Sequence, residues 1–334
     1  MVVLERRFDG ACTQLGSRSS WVLPAVVTFA VLALQTAADN GAPLLATTCG
    51  PALGSVDGLG VASWKGVPYA APPVNRRRWK KPLPLAGDFC WNGTLDASHY
   101  RSACAQYGGP QANTGNEDCL TLNIWAPMQM PATPLPIHVF LYGGDLTQGK
   151  TAWYNMSAFA AAGPVVAISV NYRLNVFGCL ALTELSAHDE RGTSGNYAFL
   201  DQQESLRWIK ANAHAFGGDP QRVQIFGQSS GGTSVLALLA SPASRGLFSS
   251  AVALSGSPNM TMSIEVEEAN NRPIVAALGC EQGSAEARYQ CLMNKSTAEL
   301  LAAASTKGIG PYRNHSGAPH TCCNAIPILF PIHC

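Results

Sequence analysis

Past an apolar leader, hydrophobic positions gather in short unbroken runs rather than in strict alternation with polar ones. Leu120 to Trp125, Ile137 to Tyr142, Val165 to Val170, Arg222 to Phe226 and Ala251 to Leu254 each span four to six residues. Runs of that length suit strands buried on both faces. Between the third and fourth the period changes. Leu206, Ile209, Ala213 and Phe216 recur at spacings of three, four and three, which stripes one face of a helix. Gly232 to Ala240 (GTSVLALLA) predicts a second helix directly after the fourth run. Strands alternating with helices predict an α/β fold, a mainly parallel sheet with crossover helices. After Leu254 the pattern shifts again: Ser263 to Ser305 is helical in character, and Lys307 to Cys334 is rich in Gly, Pro, Cys and His around the apolar patch Ile326 to Phe330. With no internal repeat and no linker, the expected layout is one domain over residues 39–305 that stops early, followed by a divergent tail over 306–334.

Composition narrows this picture without changing it. The 334 residues are 47% hydrophobic, enough for a large core, and 22 basic against 21 acidic residues leave a formal charge of +1. No long-range field favours nucleic acid. The cluster Asn75 to Lys81 (NRRRWKK) reads as a packed Trp79 with solvated neighbours rather than a nucleic-acid patch. Arg6, Arg7 and Arg18 precede the uncharged run Trp21 to Leu34, and Thr36, Ala37 and Ala38 follow it. That order predicts a signal peptide over residues 1–38. The 14-residue run is short for a bilayer span, so a membrane enters only if the leader is an uncleaved anchor. Eleven cysteines and sequons at Asn92, Asn155, Asn259, Asn294 and Asn314 agree on secretion or the ER lumen.

The candidate chemistry lies in Phe226 to Gly232 (FGQSSGG), between the fourth strand run and the helix that follows. A nucleophilic serine on a strained strand-to-helix turn needs an exposed hydroxyl and no Cβ two residues before and after it. Ser229, between Gly227 and Gly231, meets that pattern. The helix start aims backbone amides at developing negative charge. Upstream, the second strand run ends in Tyr142-Gly143-Gly144-Asp145, where paired glycines form an ordinary turn or bring amides close to a substrate oxygen.

Taken in order, Gly66 to Val74 (GVPYAAPPV), Glu117 to Pro127 (EDCLTLNIWAP), Asn171 to Leu180 (NYRLNVFGCL), Gly195 to Gln202 (GNYAFLDQ), Phe216 to Gly231 (FGGDPQRVQIFGQSSG) and Ser255 to Asn259 (SGSPN) resemble the motifs of the type B carboxylesterase and cholinesterase family. The resemblance runs from about Val56 to Leu301. It implies an α/β-hydrolase fold lacking the last strands, no cofactor, and a small-molecule carboxylic ester as substrate. By that resemblance Ser229 is the nucleophile and becomes acylated. Gly143 shapes the oxyanion hole, and the amides of Gly144, Ser230 and residue 145 line it. Disulfides Cys104–Cys119 and Cys280–Cys291 are implied too, as are buried ion pairs Glu117–Arg78 and Asp201–Arg173. Cys49, Cys90, Cys322, Cys323 and Cys334 stay unassigned, and Cys179 is expected as a buried thiol.

Three positions depart from the family pattern. Asp145 stands where the family has a third glycine, and Gln228 stands where it usually has glutamate. Past Ser229 neither the acid nor the histidine of the triad is visible. No Asp follows Asp219, and Glu265, Glu267, Glu268, Glu281, Glu286 and Glu299 look like a solvated helical face. His333 follows an apolar patch, His315 and His320 look like tail residues, and His138 sits inside a strand run. The chain therefore reads as a serine ester hydrolase, active or inactive in this form, or alternatively as a non-catalytic cholinesterase-like adhesion or binding protein. Residues 105 to 118 contain no Trp to hold a choline cation, which argues against choline esters. His188-Asp189-Glu190 is a poor metal set, since adjacent loop residues rarely converge, and no metal is expected.

Overall fold

The structure is a computed structural model that describes residues 2–5, 41–107, 113–129, 131–258 and 262–306. The leader falls outside the described residues apart from 2–5, and the tail beyond 306 lies outside them entirely. In chain order the strands are β1 (Val2–Glu5), β2 (Leu44–Thr47), β3 (Gly50–Leu53), β4 (Ser55–Val56), β5 (Val61–Pro68), β6 (Leu95–Asp96), β7 (Gln106–Tyr107), β8 (Asn113–Thr114), β9 (Thr121–Pro127), β10 (Leu135–Leu141), β11 (Val166–Val170), β12 (Gly218–Gln228) and β13 (Ser250–Leu254). The helices are α1 (Ser157–Ala162), α2 (Asn175–Cys179), α3 (Thr183–Ala187), α4 (Tyr197–Asn212), α5 (Ser230–Ala240), α6 (Ile264–Ala277), α7 (Ala285–Met293) and α8 (Thr297–Thr306).

One eight-stranded sheet carries the fold, in the order β1-β13-β12-β10-β11-β9-β5-β4. All five apolar runs are strands of this sheet. Strands β11, β10, β12 and β13 are mutually parallel. They are joined by crossovers through α1, through α2 to α4, and through α5, as parallel pairing requires. On the far side β9, β5 and β4 continue the sheet antiparallel, and β1 pairs antiparallel with β13. The parallel character is thus confined to the strands that position the elbow. The antiparallel flank was not legible because β5 and β9 are also buried over most of their length, so their patterning carries no alternation.

The helical stripe packs as its period requires. Leu206 and Ile209 on α4 are fully buried, and Ala213 and Phe216 are buried on the 3-10 turn that continues it. A second apolar cluster lies away from the sheet. It joins Val176 and Phe177 of α2 to Ile274, Leu292 and Leu300 of α6, α7 and α8, with Trp79 inside it. Trp79 is 1% exposed, and its indole N–H donates to the Val176 carbonyl at 2.8 Å.

Buried charge ties the two clusters together. Arg173 donates from Nε and Nη2 to the two Asp201 carboxylate oxygens at 2.8 and 2.7 Å, fixing the segment after β11 to α4. Arg78 forks onto Glu117 in the same way and donates from Nη1 to the Lys295 carbonyl, while Thr297 Oγ1 also donates to Glu117. Glu184 of α3 is fully buried between Arg272 of α6 and Arg288 of α7. Burial opposes its ionisation, but hydrogen bonds from both arginines win and hold its carboxyl at about 2.

Disulfides join Cys104 to Cys119, Cys280 to Cys291 and Cys49 to Cys90. The third links residues 41 apart in sequence. A closed loop of that size stabilises by roughly 3–5 kcal/mol in the chain-entropy model. Cys179 is buried at the end of α2.

Glu267 departs from the solvated-face reading of the late glutamates. It is 6% exposed on the inner side of α6, with the Asn271 amide as a hydrogen-bond partner. Burial, only partly offset by hydrogen bonds from Asn270 and Asn271, pushes its carboxyl up to about 7. Because the folded state holds this proton more tightly, stability falls as pH rises from the ordinary carboxyl range to about 7. Glu267→Gln is therefore expected to stabilise the protein at pH 8 by on the order of 2 kcal/mol, with the gain shrinking towards pH 5. Denaturant midpoints of both forms at the two pH values check this, and a pH-independent difference counts against it.

Candidate active site

Strand β12 ends at Gln228 and α5 begins at Ser230, so Ser229 alone makes the turn, with φ 57° and ψ −127°. A non-glycine residue there costs on the order of 1–3 kcal/mol and persists only when its surroundings enforce it. The enforcement is visible. The Ser229 N–H donates to the Leu254 carbonyl of β13 at 2.9 Å, and its carbonyl accepts from Thr233 N–H at 3.0 Å. A Cβ at Gly227 would collide with the Gly231 carbonyl, and one at Gly231 would collide with the Leu141 carbonyl. Strand and helix can close on the serine only because both flanking side chains are absent. Ser229 itself is half-buried.

The loop after β10 lies against this turn. A Cβ on Gly143 would stand 2.6 Å from the Gln228 carbonyl oxygen and 3.0 Å from Ser229 Cβ. The Gly144 carbonyl accepts from the N–H groups of Thr147 and Gln148 at 3.0 Å each. The chain coils tightly here through Asp145 and Leu146, both at positive φ. Leu146 N–H donates to the Oγ of fully buried Ser230 at 3.2 Å, pinning the loop to the first turn of α5. Among the described residues the N–H groups of Gly144 and Asp145 have no hydrogen-bond acceptor. The first amides of α5 also lack intrahelical partners, as at any helix start. Gly143, Gly144, Ser229 and Ser230 are thus brought together. The Asp145 side chain is exposed.

Below the loop, Tyr142 and Tyr172 stack at 4.5 Å, and Tyr172 donates its hydroxyl to the Tyr142 carbonyl at 2.5 Å. Burial pushes both phenols well above their ordinary range, so they stay neutral struts. Behind α5, Gln202 of α4 donates to Ser234 Oγ, which donates to the Ser230 carbonyl. The anchoring roles of Ser230 and Gln202 had no sequence signal beyond their place in the matched motifs.

The histidines and acids are elsewhere. His138 lies beside Gln224 at 2.8 Å and packs edge-on against Phe159; burial pulls its pKa down. His188 pairs with Glu286 and stacks on Tyr289, while Asp189 pairs with Arg191. Those neighbours therefore point apart. Among the described residues no histidine or carboxylate hydrogen-bonds Ser229, and no three metal-ligating side chains converge. His315, His320 and His333 lie outside the described residues.

Comparison with known proteins adds the following. The sequence profile of the Carboxylesterase family matches residues 42–325. Para-nitrobenzyl esterase of Bacillus subtilis (strain 168) is 38% identical over 263 residues, 76% of this chain and 51% of that protein. Cocaine esterase of Oryctolagus cuniculus is 36% identical over 283 residues, 79% and 52% of the two chains. A solved PNB esterase structure superposes with a TM-score of 0.72 at 36% identity, covering 83% of this chain and 56% of its own. The carboxylesterase of Geobacillus stearothermophilus at pH 6.2 gives 0.71 at 34%, covering 83% and 55%. The chain spans about half the length of the curated relatives it matches.

Proposed function

Because the chain belongs to the carboxylesterase family, we propose that it is a serine carboxylic ester hydrolase working through an acyl-enzyme on Ser229. The observation that carries this reading is a lone serine held at a strained φ of 57° beside a loop whose Gly144 and Asp145 amides have no acceptor among the described residues. A binding module has no use for a serine held at that conformational cost, which favours the hydrolase over the adhesion reading.

In the proposed reaction Ser229 Oγ attacks the ester carbonyl carbon, and its proton ends on the oxygen of the departing alcohol. The carbonyl oxygen takes the negative charge, and the amides of Gly144, Asp145 and Ser230 stabilise it, with Gly143 giving the backbone room. Collapse expels the alcohol and leaves the acyl group on Ser229; water then releases the acid. No base among the described residues reaches Ser229, so these residues account for nucleophile and oxyanion hole alone. Activated esters with good leaving groups are the expected substrates. The names of the relatives point to small-molecule esters as the class. Incubation with an activated phosphonate and peptide mass mapping tests the reading: the adduct is expected on Ser229, and an adduct confined to other residues sinks it.

Asp145 tunes this site. Its exposed carboxylate sits one residue from Gly144, so it opposes negative charge growing in the hole. Asn adopts the same left-handed backbone as readily. Asp145→Asn should therefore raise the acylation rate by roughly two- to five-fold, with the gain fading as salt screens the charge. Stopped-flow acylation rates at low and high ionic strength check it; a slower variant contradicts it.

Residues 39–305 form the hydrolase domain in this reading, and the leader over 1–38 directs it to the ER lumen or the exterior; β1 (Val2–Glu5) belongs to that leader, so its edge pairing with β13 is lost once the leader is cleaved. Three disulfides support an oxidising compartment. No helix among the described residues is long and apolar enough to cross a membrane.

A further inference from the structure

We propose that Asn92, Asn155 and Asn294 carry N-linked oligosaccharides. This goes beyond the esterase reading but rests on the compartment assigned with it. All three begin a sequon, Asn92-Gly93-Thr94, Asn155-Met156-Ser157 and Asn294-Lys295-Ser296, and all three are exposed. Asparagine is divided in this fold: Asn123, Asn171, Asn175, Asn212 and Asn271 are buried, Asn75, Asn116 and Asn270 are exposed without beginning a sequon, and every described sequon asparagine falls in the exposed group.

The amide nitrogens divide in the same way. At each buried asparagine Nδ2 is committed: to Ser169 from Asn123, Thr121 from Asn171, Ala105 from Asn175, Trp208 from Asn212 and Ala181 from Asn271. Nδ2 of Asn92, Asn155 and Asn294 donates to nothing among the described residues. Asn155 uses only its oxygen, accepting from Ser157 N–H at 3.0 Å. Substitution on these three nitrogens therefore breaks no hydrogen bond of the fold and leaves no buried donor unmet.

Local geometry leaves room for a large group. Asn92 lies on a bend two residues past Cys90. Asn155 lies between the 3-10 turn Thr151–Trp153 and α1, and Asn294 caps the C-terminal end of α7. The co-reactant is a polyprenyl-diphosphate-linked oligosaccharide. A bond forms between Nδ2 and the sugar C1, the C1–O bond to diphosphate breaks, the diphosphate keeps that electron pair, and the amide loses one proton. The product is a bulky, solubilising surface group.

The test is to express the full chain in a eukaryotic secretory host and treat it with peptide-N-glycosidase. The enzyme removes each glycan and converts its asparagine to aspartate, which peptide mass spectrometry locates. The expected result is conversion at Asn92, Asn155 and Asn294 and none at exposed Asn75, Asn116 or Asn270, which begin no sequon. Asn92→Gln and Asn294→Gln each remove one glycan's mass, and Thr94→Ala and Ser296→Ala reproduce those losses with the asparagine kept. A chain that is protease-protected in the lumen with its disulfides formed, yet unconverted at these positions, overturns the proposal and leaves the compartment standing. Conversion at only some of the three overturns the assignment for the rest. A chain found only in the cytosol overturns both.

Discussion

Ser229→Ala is expected to abolish the burst of leaving group that the wild-type chain releases from an activated ester. In the wild type the burst amplitude is expected to approach one equivalent per chain, because under the proposed mechanism the elbow and the neighbouring loop favour acylation and deacylation needs an activated water. Alanine keeps the backbone and removes the one oxygen that can form the acyl bond. The turn should survive, since the Ser229 N–H and carbonyl bonds to Leu254 and Thr233 are made by the backbone. Ser230→Ala is the informative neighbour. Its Oγ accepts from Leu146 N–H at 3.2 Å, so its loss loosens the loop carrying the Gly144 and Asp145 amides. Rates should then fall by on the order of 10-fold, less than for outright loss of an oxyanion donor, while the full amplitude remains. Equal bursts from wild type and Ser229→Ala would remove the acyl-enzyme from consideration.

The largest effect on stability is expected at Asp201. Its carboxylate is fully buried and accepts three hydrogen bonds from Arg173, two from the guanidinium and one from the backbone N–H at 3.0 Å. Asp201→Ala leaves the guanidinium buried with its Lys80 carbonyl contact and no counter-charge. Such losses cost about 3–5 kcal/mol. Replacing both partners by apolar residues, as in Arg173→Met with Asp201→Leu, should cost less than the single change, because no charge is then stranded. Denaturant midpoints of wild type, single and double variants decide it. A single variant within about 1 kcal/mol of wild type would mean that water enters and solvates Arg173, and that the pair does not hold α4 to the segment after β11.

Much of the architecture was legible because local patterning and long-range packing agree. The five apolar runs became strands of one sheet, and the stripe from Leu206 to Phe216 buried the face its period marks. The elbow was legible because close approach of β12 and α5 excludes a Cβ at Gly227 and Gly231, and that exclusion is written in residue identity. Elsewhere one string fitted two structures. Buried strands read alike whether parallel or antiparallel, so the β9-β5-β4 flank was hidden. Cys49 and Cys90 meet only because β2, β3 and the turn near Gly87 fold together. Glu267 looked like its exposed neighbours until α6 packed it inward.

The linear order of residues by itself determined the strand and helix alternation, the serine between its glycines, the family resemblance and the sequons, since each depends on residue types at short spacing. Only the tertiary structure decided that the Gly144 and Asp145 amides find no acceptor among the described residues, that Arg173 depends on Asp201, and that one glutamate of α6 is desolvated. These are relations between segments tens of residues apart, set by how the sheet and the helical cluster close on each other, and no local pattern encodes that closure.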